Sequence, residues 1–72
     1  MKDVEEFLKD KNLTNIEYIN DFLELSDYTR NLVLKKEYEK LSKLINYIVE
    51  NGFFKALSWV ISIIEENCNE DL

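Results

Sequence analysis

Histidine is absent and cysteine occurs once, at Cys68, so the reactive side chains are fifteen carboxylates, nine lysines and arginines, four tyrosines and that one thiol. Without imidazole there is no Ser-His-Asp or Cys-His nucleophile and no His-containing di-iron bundle, and a single thiol builds neither a zinc finger nor a disulfide scaffold. A carboxylate works as a general acid when burial shifts its pKa, and every Asp and Glu here falls at a polar position of its segment. Glu65 and Glu66 point to different faces of one helix and make no dyad. Asn67, Asn69 and Asp71 alternate like the start of a calcium loop, but the sharp-turn Gly and the closing bidentate Glu are missing. Tyr28, Tyr38 and Tyr47 have no neighbour that would activate a phenol, and no basic residue adjoins Cys68 to lower its pKa. No Gly-rich phosphate loop exists. The expectation is a protein that is not an enzyme and uses no cofactor or metal.

The carboxylates are better arranged for recognition. Residues 1–27 carry eight acids and three bases, residues 28–43 two acids and five bases, and residues 44–72 five acids and one base, within a net charge of −6. Asp3, Glu6 and Asp10 share one face of a first helical segment, and Glu17, Asp21 and Glu24 share one face of a second. Two acidic stripes on neighbouring helices suit a protein partner with a basic surface. Both stripes also lie opposite apolar faces, as a solvated helix face must. The basic run Arg30, Lys35, Lys36, Lys40, Lys43 would suit phosphate contact, but ion pairing with Glu37 and Glu39 explains it more simply in an acidic chain, and nucleic acid is not the expected partner.

Four segments must position these groups. Val4, Phe7 and Leu8 mark a helix over residues 2–11 with acids in its first turn and lysines in its last. Thr14-Asn15-Ile16-Glu17 reads as a capping box, with Leu13 and Tyr18 as its hydrophobic staple, so a second helix should run from Asn15 to about Leu25. Ser26 or Asp27 caps a third segment that meets no breaker before Asn51-Gly52. Its residues Leu34, Tyr38, Leu41, Ile45 and Ile48 repeat at 4, 3, 4, 3, the seam of helices packed at a shallow angle. A helix of about 24 residues would span roughly 36 Å, long for so small a chain. The fourth segment, Phe53 to about Asn67, repeats the spacing at Phe53, Leu57, Val60 and Ile64 and adds a second apolar face of Ala56, Trp59 and Ile63, with Phe54 beside them. A helix apolar nearly all round must be covered nearly all round, and an aromatic anchor such as Trp59 serves a core or an interface equally well.

Phe22-Leu-Glu-Leu-Ser-Asp-Tyr-Thr-Arg-Asn-Leu-Val33 resembles the turn and recognition helix of helix-turn-helix repressors, through Leu25-Ser26, Thr29 and Val33. The resemblance implies that Ser26 opens a second helix whose first turns, Tyr28, Thr29, Arg30, Lys35 and Lys36, face nucleic acid. It covers about fifteen residues. The sequence departs from the family at Glu24, where a turn Gly is usual, at Asn20, where a small apolar residue packs, and at Arg30, where the second helix is buried.

Seventy-two residues make one domain with a small core, so the expected fold is an all-α bundle of three to four helices, closed by a C-terminal antiparallel hairpin hinged at Asn51-Gly52 and doubled into a homodimer. Residues 67–72 read as a frayed acidic tail. Pro 0 and Gly 1 exclude a small β-sandwich or barrel with its many tight turns. No apolar run follows the first lysine and the longest apolar stretch, Phe53 to Ile64, is too short to cross a bilayer, so neither a secretory signal nor a membrane span is expected. One unpaired cysteine fits the cytoplasm. Residue types with A/T-rich codons (Phe, Tyr, Met, Ile, Asn, Lys) make up 32 of the 72, which fits a low-GC bacterium, its phage or a plasmid. The expected function is a small inhibitor or adaptor, of a counter-defence or antitoxin-like kind. The alternatives are a dimeric helix-turn-helix transcription regulator and a structural subunit of a larger complex.

Overall fold

Four helices and no strand make up the described residues, 3–68, of the computed structural model: α1 Val4–Leu8, α2 Ile19–Leu34, α3 Tyr38–Glu50 and α4 Phe54–Cys68. The helix α2 is central and touches both α3 and α4, with its broadest contact on α4. Its buried residues Phe22, Leu25, Ser26, Thr29, Leu32 and Val33 fall at i, i+3, i+4, i+7 spacing, one face of a 3.6-residue helix. Against that face pack Leu41, Leu44 and Ile48 of α3 and Ala56 and Val60 of α4. The short α1 adds Val4, Phe7 and Leu8, and the Phe7 ring lies flat on Tyr28 with centroids 4.1 Å apart.

The uninterrupted third segment expected from the sequence does not form. One helix ends at Leu34 and another starts at Tyr38, because Lys36 turns the chain with φ 58°, in the left-handed region. The Glu37 amide donates to the Leu32 carbonyl at 2.9 Å and the Lys36 amide to Val33 at 3.1 Å, the paired bonds of a Schellman ending. The same pair recurs at the foreseen Gly52 stop, from Phe53 to Ile48 and from Gly52 to Val49, with Gly52 at φ 68°. A left-handed lysine costs about 1–2 kcal/mol. Folding back there lets α3 bury Leu41, Leu44 and Ile48, each worth about 1.5–3 kcal/mol. Packing therefore outweighs the strain. The first two residues of the expected seam, Leu34 and Tyr38, are left 58% and 59% exposed at the turn.

The expected capping box is also replaced. Asn12 and Asn15 each bond the amide two residues on, to Thr14 at 3.1 Å and Glu17 at 3.0 Å, two successive Asx turns. The Thr14 hydroxyl donates to Asn12 Oδ1 at 2.6 Å instead of capping a helix. Residues 11–18 thus form a loop that drops Leu13 into the core, Tyr18 stays exposed instead of stapling to Leu13, and α2 starts at Ile19. Ser26 and Asp27 cap nothing: both lie inside α2, where the Ser26 hydroxyl donates to the Phe22 carbonyl at 3.1 Å. In the expected tail Asn67 and Cys68 belong to α4, and the rest of it lies outside the described residues.

Candidate functional site

The outer side of α4 carries the most distinctive surface. Phe54, Lys55, Ser58, Trp59, Ser62 and Ile63 line an open groove of about 710 Å³, closed on its far side by Ile16 of the loop and Ser26 of α2. Trp59 is fixed on two sides: its indole Nε1 donates to the Ser26 hydroxyl, and its ring meets Phe22 edge-on at 5.4 Å and 80°. Ser26 in turn donates to Phe22, so its hydroxyl both gives and receives a hydrogen bond. The remainder of the Trp59 ring stays open to the groove. Phe54 is 76% exposed, a large apolar side chain left almost wholly in water.

Of the four apolar residues singled out in α4, Phe54, Trp59 and Ile63 meet in this groove, whereas Ala56 is in the core and unavailable to any partner. Trp59 is half core and half surface. Ile16 and Ser26 were not foreseen as part of the site. Neither stands out by residue type, and both arrive through the packing of α2 and its preceding loop on α4.

The acidic residues form no pair of regular stripes. Only Glu6 lies within α1, with Asp3 before it and Asp10 after it, and Glu17 sits in the loop, leaving Asp21 and Glu24 on α2. What draws the two groups together is Lys11, whose Nζ lies 3.2 Å from Asp10 and 3.5 Å from Glu24 and 5.0 Å over the Phe7 ring. Burial alone would lower the Lys11 pKa, but its ion pairs with Asp10 and Glu24 outweigh that and hold it above the ordinary 10.5. Asp21 accepts the Asn12 amide at 2.9 Å. Asp3, Glu6 and Glu17 remain on the surface.

The residues that the helix-turn-helix resemblance would aim at nucleic acid are mostly committed elsewhere. The stretch Phe22–Val33 lies within one helix, so there is no turn at Leu25-Ser26. Thr29 is fully buried, and Tyr28 is buried against Phe7. Burial, then the carboxylates of Asp3 and Glu37, raise the Tyr28 pKa above 10.0. Arg30 pairs with Asp27 at 3.0 Å, while Lys35 and Lys36 form the turn after α2. At the start of α3, Lys40 pairs with Glu37 at 3.4 Å, whereas Glu39 forms no ion pair among the described residues.

No family model, curated protein or solved structure matches the chain. Among the described residues no three of Asp, Glu and Cys converge where they could hold a metal ion, and no helix is long and apolar enough to cross a membrane. Tyr38, Tyr47, Glu65, Glu66 and Cys68 are exposed, and Asn69 and Asp71 lie outside the described residues. The groove is an apolar surface with hydroxyls and one ammonium group at its edge. Such a surface offers aromatic and aliphatic area that would exclude water on contact, and a few polar groups that would set orientation.

Proposed function

We propose that this chain is a non-catalytic, acidic protein-binding module, an inhibitor or adaptor of a partner protein, that works as a homodimer with α3 and α4 as an antiparallel hairpin. The observation that supports the homodimer most is the α4 groove, where Phe54 and Trp59 hold aromatic surface in water. Water-exposed aromatic area of this kind marks surfaces that a protein covers. The surface carboxylates Asp3, Glu6 and Glu17, added to the net charge of −6, draw a partner with a basic face and raise its rate of encounter. Size, acidity and residue usage suit a cytoplasmic counter-defence or antitoxin-like protein of a phage, a plasmid or a low-GC bacterium.

The test is affinity capture from source lysate using the tagged wild type and a Glu6→Lys/Glu17→Lys variant, with and without nuclease, read by mass spectrometry. A stoichiometric protein that survives nuclease and is lost with the charge-reversed variant supports the reading. Recovery of nucleic acid that disappears after nuclease would overturn it in favour of a DNA-binding regulator, and capture unaffected by the charge reversal would remove the acidic face from the mechanism.

A further inference from the structure

Along the outer face of α4, Lys55, Trp59, Ser62 and Glu66 recur at spacings of 4, 3 and 4, the period at which one helix meets another along a seam. Lys55 and Glu66, at the two ends of this row, are exposed, and neither takes part in an ion pair among the described residues. Between them stand one large ring, Trp59, and two small exposed residues, Ser58 and Ser62. A row with a cation at one end, an anion at the other and a bulge next to a notch is complementary to itself reversed.

We infer that the α4 groove is covered by a second copy of this chain, with the two α4 helices antiparallel about a two-fold axis that passes between Val60 and Ile61. This rests on the homodimer proposed above and names its interface. In that register Lys55 faces Glu66 of the second copy and Trp59 faces the notch at Ser62, each contact occurring twice by symmetry. Lys55 and Glu66 are separated by about 16 Å along the helix at 1.5 Å per residue, so the two ion pairs bracket the apolar middle. Phe54, the most exposed large apolar side chain among the described residues, lines the same groove. A parallel pairing would instead set Lys55 on Lys55, Glu66 on Glu66 and Trp59 on Trp59, joining like charges and leaving both notches empty. Charge and shape therefore select the same orientation.

Sedimentation equilibrium of the full chain, with circular dichroism to verify helicity, tests this through charge reversal. Lys55→Glu and Glu66→Lys should each weaken the dimer by about tenfold, since either change turns two attractions into two repulsions. The double variant Lys55→Glu/Glu66→Lys should return to within about threefold of wild type, and an equimolar mixture of the two single variants should dimerise as well as wild type. Because both side chains are exposed, all variants keep the wild-type fold. A dimer that ignores both single reversals, or a double variant that does not recover, overturns this interface and leaves the homodimer standing. A wild type that stays monomeric at millimolar concentration overturns the homodimer and the interface together.

Discussion

Replacing Lys36 by glycine should stabilise the protein, and the sign of that change separates two accounts of its middle third. Lys36 holds φ 58°, is exposed, and closes α2 through the Glu37–Leu32 and Lys36–Val33 amide bonds, neither of which involves its side chain. A left-handed L-residue costs about 1–2 kcal/mol relative to glycine. Glycine returns about 0.4–1 kcal/mol of that through the larger entropy of its unfolded chain. The net expectation is a gain of about 0.5–1 kcal/mol. A domain of this size shifts its midpoint by about 4–8 °C per kcal/mol, so Lys36→Gly should raise Tm by about 2–8 °C. Thermal melts followed by circular dichroism at pH 7, with urea titration for ΔG, measure it directly. If residues 27–50 formed one helix, as the apolar spacing alone suggests, glycine at its centre would instead cost close to 1 kcal/mol. A fall in Tm would refute the turn. Gly52→Ala is the mirror experiment: nothing lies within 4 Å of an added Cβ, so only the φ of 68° resists it, and a loss of about 0.5–1.5 kcal/mol is expected.

Two further outcomes follow from the core. The hydroxyl of Thr29 is fully buried with no hydrogen-bond partner, so Thr29→Val, which keeps the shape and removes the unsatisfied group, should raise stability by about 1 kcal/mol in urea titration. A loss of similar size would show that the hydroxyl has a partner in solution. Stability should also fall in alkali. The raised pKa of Lys11 supplies stability that is complete below 10.5 and vanishes as pH rises through its folded value, and a Tyr28 held neutral above 10.0 lets the unfolded chain lose its proton first. Both slopes have the same sign, so Tm should begin to drop near pH 10, and Tyr28→Phe should flatten part of the drop. A Tm unchanged to pH 11 would contradict both.

Which parts of the fold were legible in the sequence depended on whether the signal was carried by a residue type or by a competition. The end of α3 was visible because glycine is the residue that takes the left-handed turn freely, and α4 was expected over Phe53–Asn67 and runs over Phe54–Cys68. The end of α2 uses the same hydrogen bonds, but with lysine in the left-handed position, and a lysine looks like any other helix former. Only the energy of burying Leu41, Leu44 and Ile48 against α2 reveals the break, and that is a tertiary quantity. At residues 12–17 two local schemes used the same backbone: the Thr14 to Glu17 capping box, and the Asx turns of Asn12 and Asn15. The second prevails because it leaves the loop free to bury Leu13 and to anchor Asn12 on Asp21.

Ser26 links the misplaced boundary to the half-seen site. Serine before a run of helix formers is ambiguous, since it can cap a helix from outside or bond back to the carbonyl four residues earlier from inside. Phase decides between them. Phe22, Leu25, Thr29 and Leu32 continue one helical face straight through Ser26, whereas a cap would have reset that face at Asp27. Once Ser26 is read as interior, its hydroxyl lies on the buried side of α2, the side against which α4 packs, and a buried indole N–H requires an acceptor there. Trp59 finds it in Ser26, and that bond orients the ring so that one part seals the core while the rest forms the wall of the groove. The apolar row of α4 was therefore readable from its own periodicity. Ser26, which faces it from α2, was hidden by being read as a cap and not as helix interior, and Ile16 by the loop packing that brings it there.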